Sequence, residues 1–227
     1  MRRSGSRVAW AALVAAVSFG AALADAASEV RAALGILSKD VLSGSVLTAR
    51  VLPGDSKQIV TVTTYFTGKR GDADAVNVRL DVFRREGERL APVYSRDFGE
   101  ENGGHVGRGE VELLDLDGDQ VNEIVVSYDD ARSPVASRRV AEVIVREPSG
   151  FRVAWSGETE YDATREARDV PPERRDRFVR TLDVAATLRT RGVTLVFRKK
   201  VIAVAGERLP EPKEVVETFP FRGAPEP

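Results

Sequence analysis

Two stretches of this chain follow one plan, and that plan restricts the fold more than any other feature. "SVLTARVLPGDSKQIVTVTTYF", Ser45 to Phe66, and "GEVELLDLDGDQVNEIVVSYDD", Gly109 to Asp130, each run from a strand-like segment through a Gly-Asp turn into an apolar strand of the form I-V-x-x-x-Y. Ile59-Val60 with Tyr65 answers to Ile124-Val125 with Tyr128, and Asp55 lies 64 positions before Asp119. A second hairpin follows each stretch: "VNVRLDVFRREGERLAPVYSRDF" after the first and "RVAEVIVREPSGFRVAWSGETE" after the second. Apolar and polar residues alternate along Val76 to Phe83 and Val140 to Val145, while "REGER" and "EPSG" supply the turns. Each copy is therefore expected to be a meander of four short antiparallel strands, spanning 45–99 and 109–160 within a repeat region of 45–165.

Outside the repeats the signals are shorter. Ser28 to Lys39 has helical spacing at Val30, Leu34 and Leu37, which predicts a short helix in an N-terminal segment of 25–44. Pro171-Pro172 before Glu173 predicts a helical turn. From Arg177 to Thr190 apolar residues fall at 178, 182, 184, 186 and 188, a period of two, and "VTLVF" and "VIAVAG" are short and rich in β-branched residues. These predict a C-terminal β-meander over 166–219, with a last edge strand at Val215 to Phe219 and a loose Pro-rich tail at 220–227. The expected class is all-β.

The acidic loop of the second copy carries the chemistry. With Asp115 as position 1, Asp117 is 3, Asp119 is 5, the carbonyl of Val121 is 7 and Glu123 is 9. Calcium takes about six to eight oxygen ligands, and alternating carboxylates on an extended stretch point the same way, so this spacing suits a calcium loop. It is not an EF-hand, because Gln120 stands where that turn needs Gly and Val126 where it needs a bidentate Glu. The competing reading is a plain acidic β-turn at Asp117-Gly118. The first copy, "LPGDSKQ", keeps only Asp55 and could hold no metal, so the turn itself does not require the acids.

The run "DLDGDQVNEIVV" resembles the repeat motif of FG-GAP and VCBS-type proteins. That resemblance implies strands of a β-propeller blade with an Asp-rich, often calcium-binding, loop between them. It departs from the pattern at Gln120 and at Glu123, and it implies no activity. Propellers close with about 4 to 8 blades, whereas this chain has room for about three such units. An incomplete propeller or a sandwich-like stack of sheets follows, and the stack is favoured.

At the amino terminus, Arg2, Arg3 and Arg7 precede an apolar run from Val8 to Leu23, which ends in the A-x-A sites Ala22-Leu23-Ala24 and Ala24-Asp25-Ala26. This is the order of a secretory signal peptide over 1–24, and the run is shorter than the roughly 20 residues that span a bilayer. Residues Ser4-Gly5-Ser6 after the arginine pair favour general secretion, so a periplasmic or secreted protein is expected. Cleavage after Ala24 leaves 31 basic residues against 35 acidic, a net charge of −4, which argues against a nucleic-acid partner. In "TREARDVPPERRDRFVRT" the arginines are interleaved with Glu166, Asp169, Glu173 and Asp176, as on a solvated face. The absence of cysteine rules out a lipid-anchored or disulfide-framed export product.

No reaction is legible. His105 is the single histidine, in the glycine-rich "NGGHVGRG", and no G-x-S-x-G elbow accompanies it. Cys/His zinc sites are excluded, and "TGKRG" lacks the elements of a phosphate loop. Tyr65, Phe66, Tyr94, Trp155 and Tyr161 are candidates for a carbohydrate-binding face, with core packing as the alternative. The leading expectation is a non-enzymatic, exported calcium-binding module for a protein or carbohydrate partner. An extracytoplasmic hydrolase without a locatable site and a metal-free structural domain are the alternatives.

Overall fold

The computed structural model of the chain describes residues 28–30, 32–34, 40–54, 56–67, 76–101, 106–130, 136–163 and 175–221. The expected signal peptide, His105, Asp55, the Pro171-Pro172 turn and the end of the tail lie outside these residues. The chain is all-β, with two antiparallel sheets. Strands β1 (Val41–Ala49), β2 (Gln58–Phe66), β3 (Val76–Glu86) and β4 (Arg89–Asp97) form a four-stranded sheet in chain order. A short helix, α1 (Phe98–Glu101), leads to the second sheet. That sheet has seven strands, again in chain order: β5 (Val106–Leu114), β6 (Glu123–Asp130), β7 (Ser137–Glu147), β8 (Gly150–Asp162), β9 (Arg177–Leu182), β10 (Thr194–Val204) and β11 (Glu207–Pro220). Helix α2 (Val184–Arg189) interrupts the path from β9 to β10.

Both four-strand meanders are present, and the second runs on into β9–β11 without starting a new sheet. The link is the pairing of Glu160, Tyr161 and Asp162 with Val179, Phe178 and Arg177. Neither sheet closes into a barrel. They are stacked through one shared core, in which Val60, Val62, Val78, Leu80 and Val82 of the first sheet meet Ile124, Val126, Tyr128 and Ile144 of the second. Period-two alternation supplies these contacts, since Val60 and Val62 of β2, Val78, Leu80 and Val82 of β3, and Ile124, Val126 and Tyr128 of β6 stand at alternate positions of their strands. At roughly 25 cal/mol per Å² of apolar surface removed from water, this core is the main source of stability.

The far face of each sheet is also covered. Residues 28–30 and 32–34 are helical, and Val30 and Leu34 pack with Ile59 and Phe83 of the first sheet. On the second sheet, β10 and the end of the chain bring Leu195, Phe197, Phe219 and Phe221 onto Val143, Val145 and Trp155. The guanidinium of Arg152 on β8 reaches the carbonyl of Phe221 at 3.4 Å. The sheet therefore curls enough for its last strand to return toward its fourth.

The C-terminal region corrects the sequence reading in two places. Residues 184–189, expected as strand, are helical, because the Asp183 side chain accepts a hydrogen bond from the Ala186 N–H at 2.9 Å and so caps the turn. The sequence "VAATLR" is also rich in helix formers. Apolar residues at 184 and 188 satisfy a helical spacing as well as a period of two, which is why periodicity misled. Thr194 to Phe197 of "VTLVF" and Val201 to Val204 of "VIAVAG" are parts of the single strand β10, and the last strand starts at Glu207 rather than near Val215.

Candidate metal centre

The acidic loop joins β5 to β6. Its backbone alternates: Leu116 is fully buried in the apolar cluster beneath, while Asp115 and Asp117 point to the other side. One oxygen from each of Asp115, Asp117 and Glu123 lies within 4.8 Å of the other two. The sequence placed five residues in this site, and the fold brings these three together. Asp119 lies outside the group, with its Oδ1 accepting from the Val121 N–H at 2.8 Å, and Val121 enters the loop through that same N–H.

The carboxylates also organise the loop. Asp115 accepts from two backbone donors, Gly118 N–H at 2.7 Å and Gln120 N–H at 3.1 Å. Asp117 accepts from Asp119 N–H at 3.1 Å, and the buried Glu123 accepts from Leu116 N–H at 2.7 Å. These bonds are what a set of Asx turns requires, so they support the plain-turn reading as much as the metal reading. Three carboxylates this close repel one another, however, and a partly desolvated group among them makes the repulsion larger. Backbone donors offset part of it, and a hard divalent cation would offset the rest.

The backbone explains the departure at Gln120. Gly118 has φ +85° and Gln120 has φ +66°, both in the left-handed region. Gly is common at the second position because a side chain there is strained, by roughly 1 kcal/mol. Gln120 tolerates it with its N–H held by Asp115.

Three supporting residues were not singled out from the sequence. Asn122 donates its backbone N–H and its Nδ2 to the carbonyl of Arg50, at 2.7 and 3.0 Å, which ties the acidic loop to the β1–β2 connection. Gly192, with φ +73°, sits so close to Asp117 that any Cβ would overlap its side chain. Leu116 could have been noticed as the one apolar residue among the aspartates.

The aromatics expected to form a binding face are divided among separate contacts. Tyr94 packs on Phe151 at 4.9 Å and Trp155 on Phe197 at 4.3 Å, both with tilted rings, and Tyr161 stacks on Phe178 at 5.7 Å. The Tyr65 hydroxyl donates to Asp97, and Phe66 is exposed.

No family model, curated protein or solved structure matches the chain. The reading of the loop therefore rests on its geometry and on the motif.

Proposed function

We propose that this is an exported, non-enzymatic β protein whose acidic loop binds calcium, and that it serves as a binding or structural module for a protein or carbohydrate partner. The observation that supports this is the approach of Asp115, Asp117 and Glu123 oxygens to within 4.8 Å of one another. Asp119 and the Val121 carbonyl are the further oxygens that the loop offers within the same turn. Calcium is preferred to magnesium because a single flexible loop does not impose the near-ideal octahedron that magnesium demands. The metal would supply charge neutralisation and a staple between β5 and β6, with no step of a reaction attached to it.

Thermal melts of the full chain in calcium and in chelator test the proposal. At calcium about 100 times the Kd, stability should rise by about 2.7 kcal/mol, which for a chain of this size raises Tm by roughly 5–10 °C. Asp117→Ala should remove the calcium response. An unchanged midpoint in calcium and chelator would overturn the metal reading and leave the loop as a capped turn.

A further inference from the structure

The second sheet ends on an open edge: among the described residues β11 pairs with β10 on one side and with no strand on the other. A long edge strand offers a row of backbone donors and acceptors to any extended chain. β11 runs for 14 residues, and from Lys213 to Val216 it is exposed on both faces. Val215 and Val216, 36% and 61% exposed, put two adjacent β-branched side chains on opposite faces of that edge.

Two hydrogen bonds show which backbone groups face outward. Phe221 donates its N–H to the Val193 carbonyl at 3.0 Å, in register with the pairs Phe219 to Leu195 and Glu217 to Phe197. Odd-numbered residues of β11, back to Lys213, therefore turn N–H and C=O toward β10. On the other side of β10, Asp183 donates to the Val196 carbonyl at 2.8 Å, so the even-numbered residues of β10 serve β9, as this alternation requires. Glu214, Val216 and Thr218 then aim their backbone groups away from the sheet. Pro212 and Pro220 stand at the next outward positions on either side and have no N–H to offer. The prolines frame an open window.

Side chains decide what fits this window. A second copy of β11 can lie antiparallel against it, with outward residues opposite outward residues. Centred on Glu214 or on Glu217, such a pairing sets a glutamate directly against its twin, which is unfavourable. Centred on Val216, it leaves Lys213 opposite Phe219 and Glu217 opposite Val215. Centred on Val215, it packs Val215 on Val215 and sets Lys213 of each copy opposite Glu217 of the other. Lys213 makes no ion pair with a described residue, while Glu217 holds Arg180 at 2.6 Å and Lys199 at 3.7 Å.

We propose that the protein forms a twofold dimer by antiparallel pairing of β11 with β11 of a second copy, centred on Val215. Glu214 and Val216 of each copy exchange both backbone hydrogen bonds with Val216 and Glu214 of the other, and the two seven-stranded sheets become one. The contact is one strand wide and falls below the roughly 1,200 Å² of standard interfaces, so the dimer dissociates on dilution. It lies apart from the acidic loop and does not depend on the calcium reading.

Sedimentation velocity of the full chain, from low micromolar to submillimolar concentration, should show monomer passing to dimer. Val216→Pro removes an outward N–H that the fold does not use, so it should abolish the dimer and leave the melting midpoint of dilute protein in place. Lys213→Glu should weaken the dimer about ten-fold, by setting like charges opposite one another at two symmetric places. The chain has no cysteine, so Val215→Cys carries a single thiol, and in a pair without backbone hydrogen bonds this lies within disulfide reach of its twin. Mild oxidation should cross-link it, whereas Glu211→Cys, more than about 20 Å from its twin along the strands, should stay unlinked. Monomer at every concentration, a dimer that survives Val216→Pro in folded protein or ignores Lys213→Glu, or equal cross-linking at both positions would each overturn the proposal.

Discussion

Asp115 holds two backbone N–H groups at once, and this separates two roles that a sequence motif merges. As a turn organiser it is needed with or without a cation. Asp115→Ala should therefore cost about 1–2 kcal/mol in urea melts run in chelator, from two lost hydrogen bonds. Alternation of the aspartates was legible because a period of two is a strong signal. The left-handed Gln120 was legible only as a departure, since a positive φ in a residue other than Gly leaves no mark in composition. A second residue-scale consequence concerns Tyr65. Burial, followed by its hydrogen bond to Asp97, pushes its phenol up from an ordinary value near 10 to about 12. The folded state thus keeps this proton longer than the unfolded chain does. Stability contributed by Tyr65 is complete below pH 10 and is lost as pH rises through about 12. Alkaline unfolding followed by circular dichroism should show that loss, and Tyr65→Phe should flatten it.

Helix α2 is the element the sequence misplaced, and its cap explains both the error and its stability. The carboxyl of Asp183 is held below the usual carboxylate range, first by the Ala186 N–H and then by Arg198 at 2.7 Å. A lowered carboxyl contributes stability that is complete above the ordinary carboxylate range and is lost as pH falls below that range, through the lowered value of the folded state. Asp183→Ala should cost about 1 kcal/mol at neutral pH, and the difference from wild type should shrink on acidification. Guanidine melts at neutral and acid pH measure both. The helix also shields a buried Thr187, whose hydroxyl accepts from the Val196 N–H at 3.0 Å. Strands β2, β3, β6 and β7 were readable from alternation because one face of each meets the shared core. The extent of β11 was not, because much of that edge strand is exposed on both faces and so has no period to read.

For the whole molecule, the strand count was within reach of the sequence but the sheet count was not. The repeat predicted two meanders and a third unit, and in the fold the third unit continues the second sheet through three residue pairs of β8 and β9. Such pairing depends on how strongly the sheet curls, which local pattern does not encode. The docking of the sheets is concentrated on β5. There, Gly109 donates its N–H to the Thr64 hydroxyl at 3.0 Å, and a Cβ at this position would overlap Val62 and Val78. Gly109→Ala should therefore destabilise the stack by about 1–3 kcal/mol by overpacking, read as a lower urea midpoint with an unchanged slope.

Strand order equal to chain order in both sheets has a consequence for how the molecule is reached from the unfolded chain. Every hairpin closes between segments adjacent in sequence, so the sheets can zip one turn at a time at small loop-closure cost. The meeting of β5 with β2 and β3 is different, because it requires two preassembled surfaces to find each other. The search problem of this chain is thus a docking problem, and Gly109 is the residue at which it is solved.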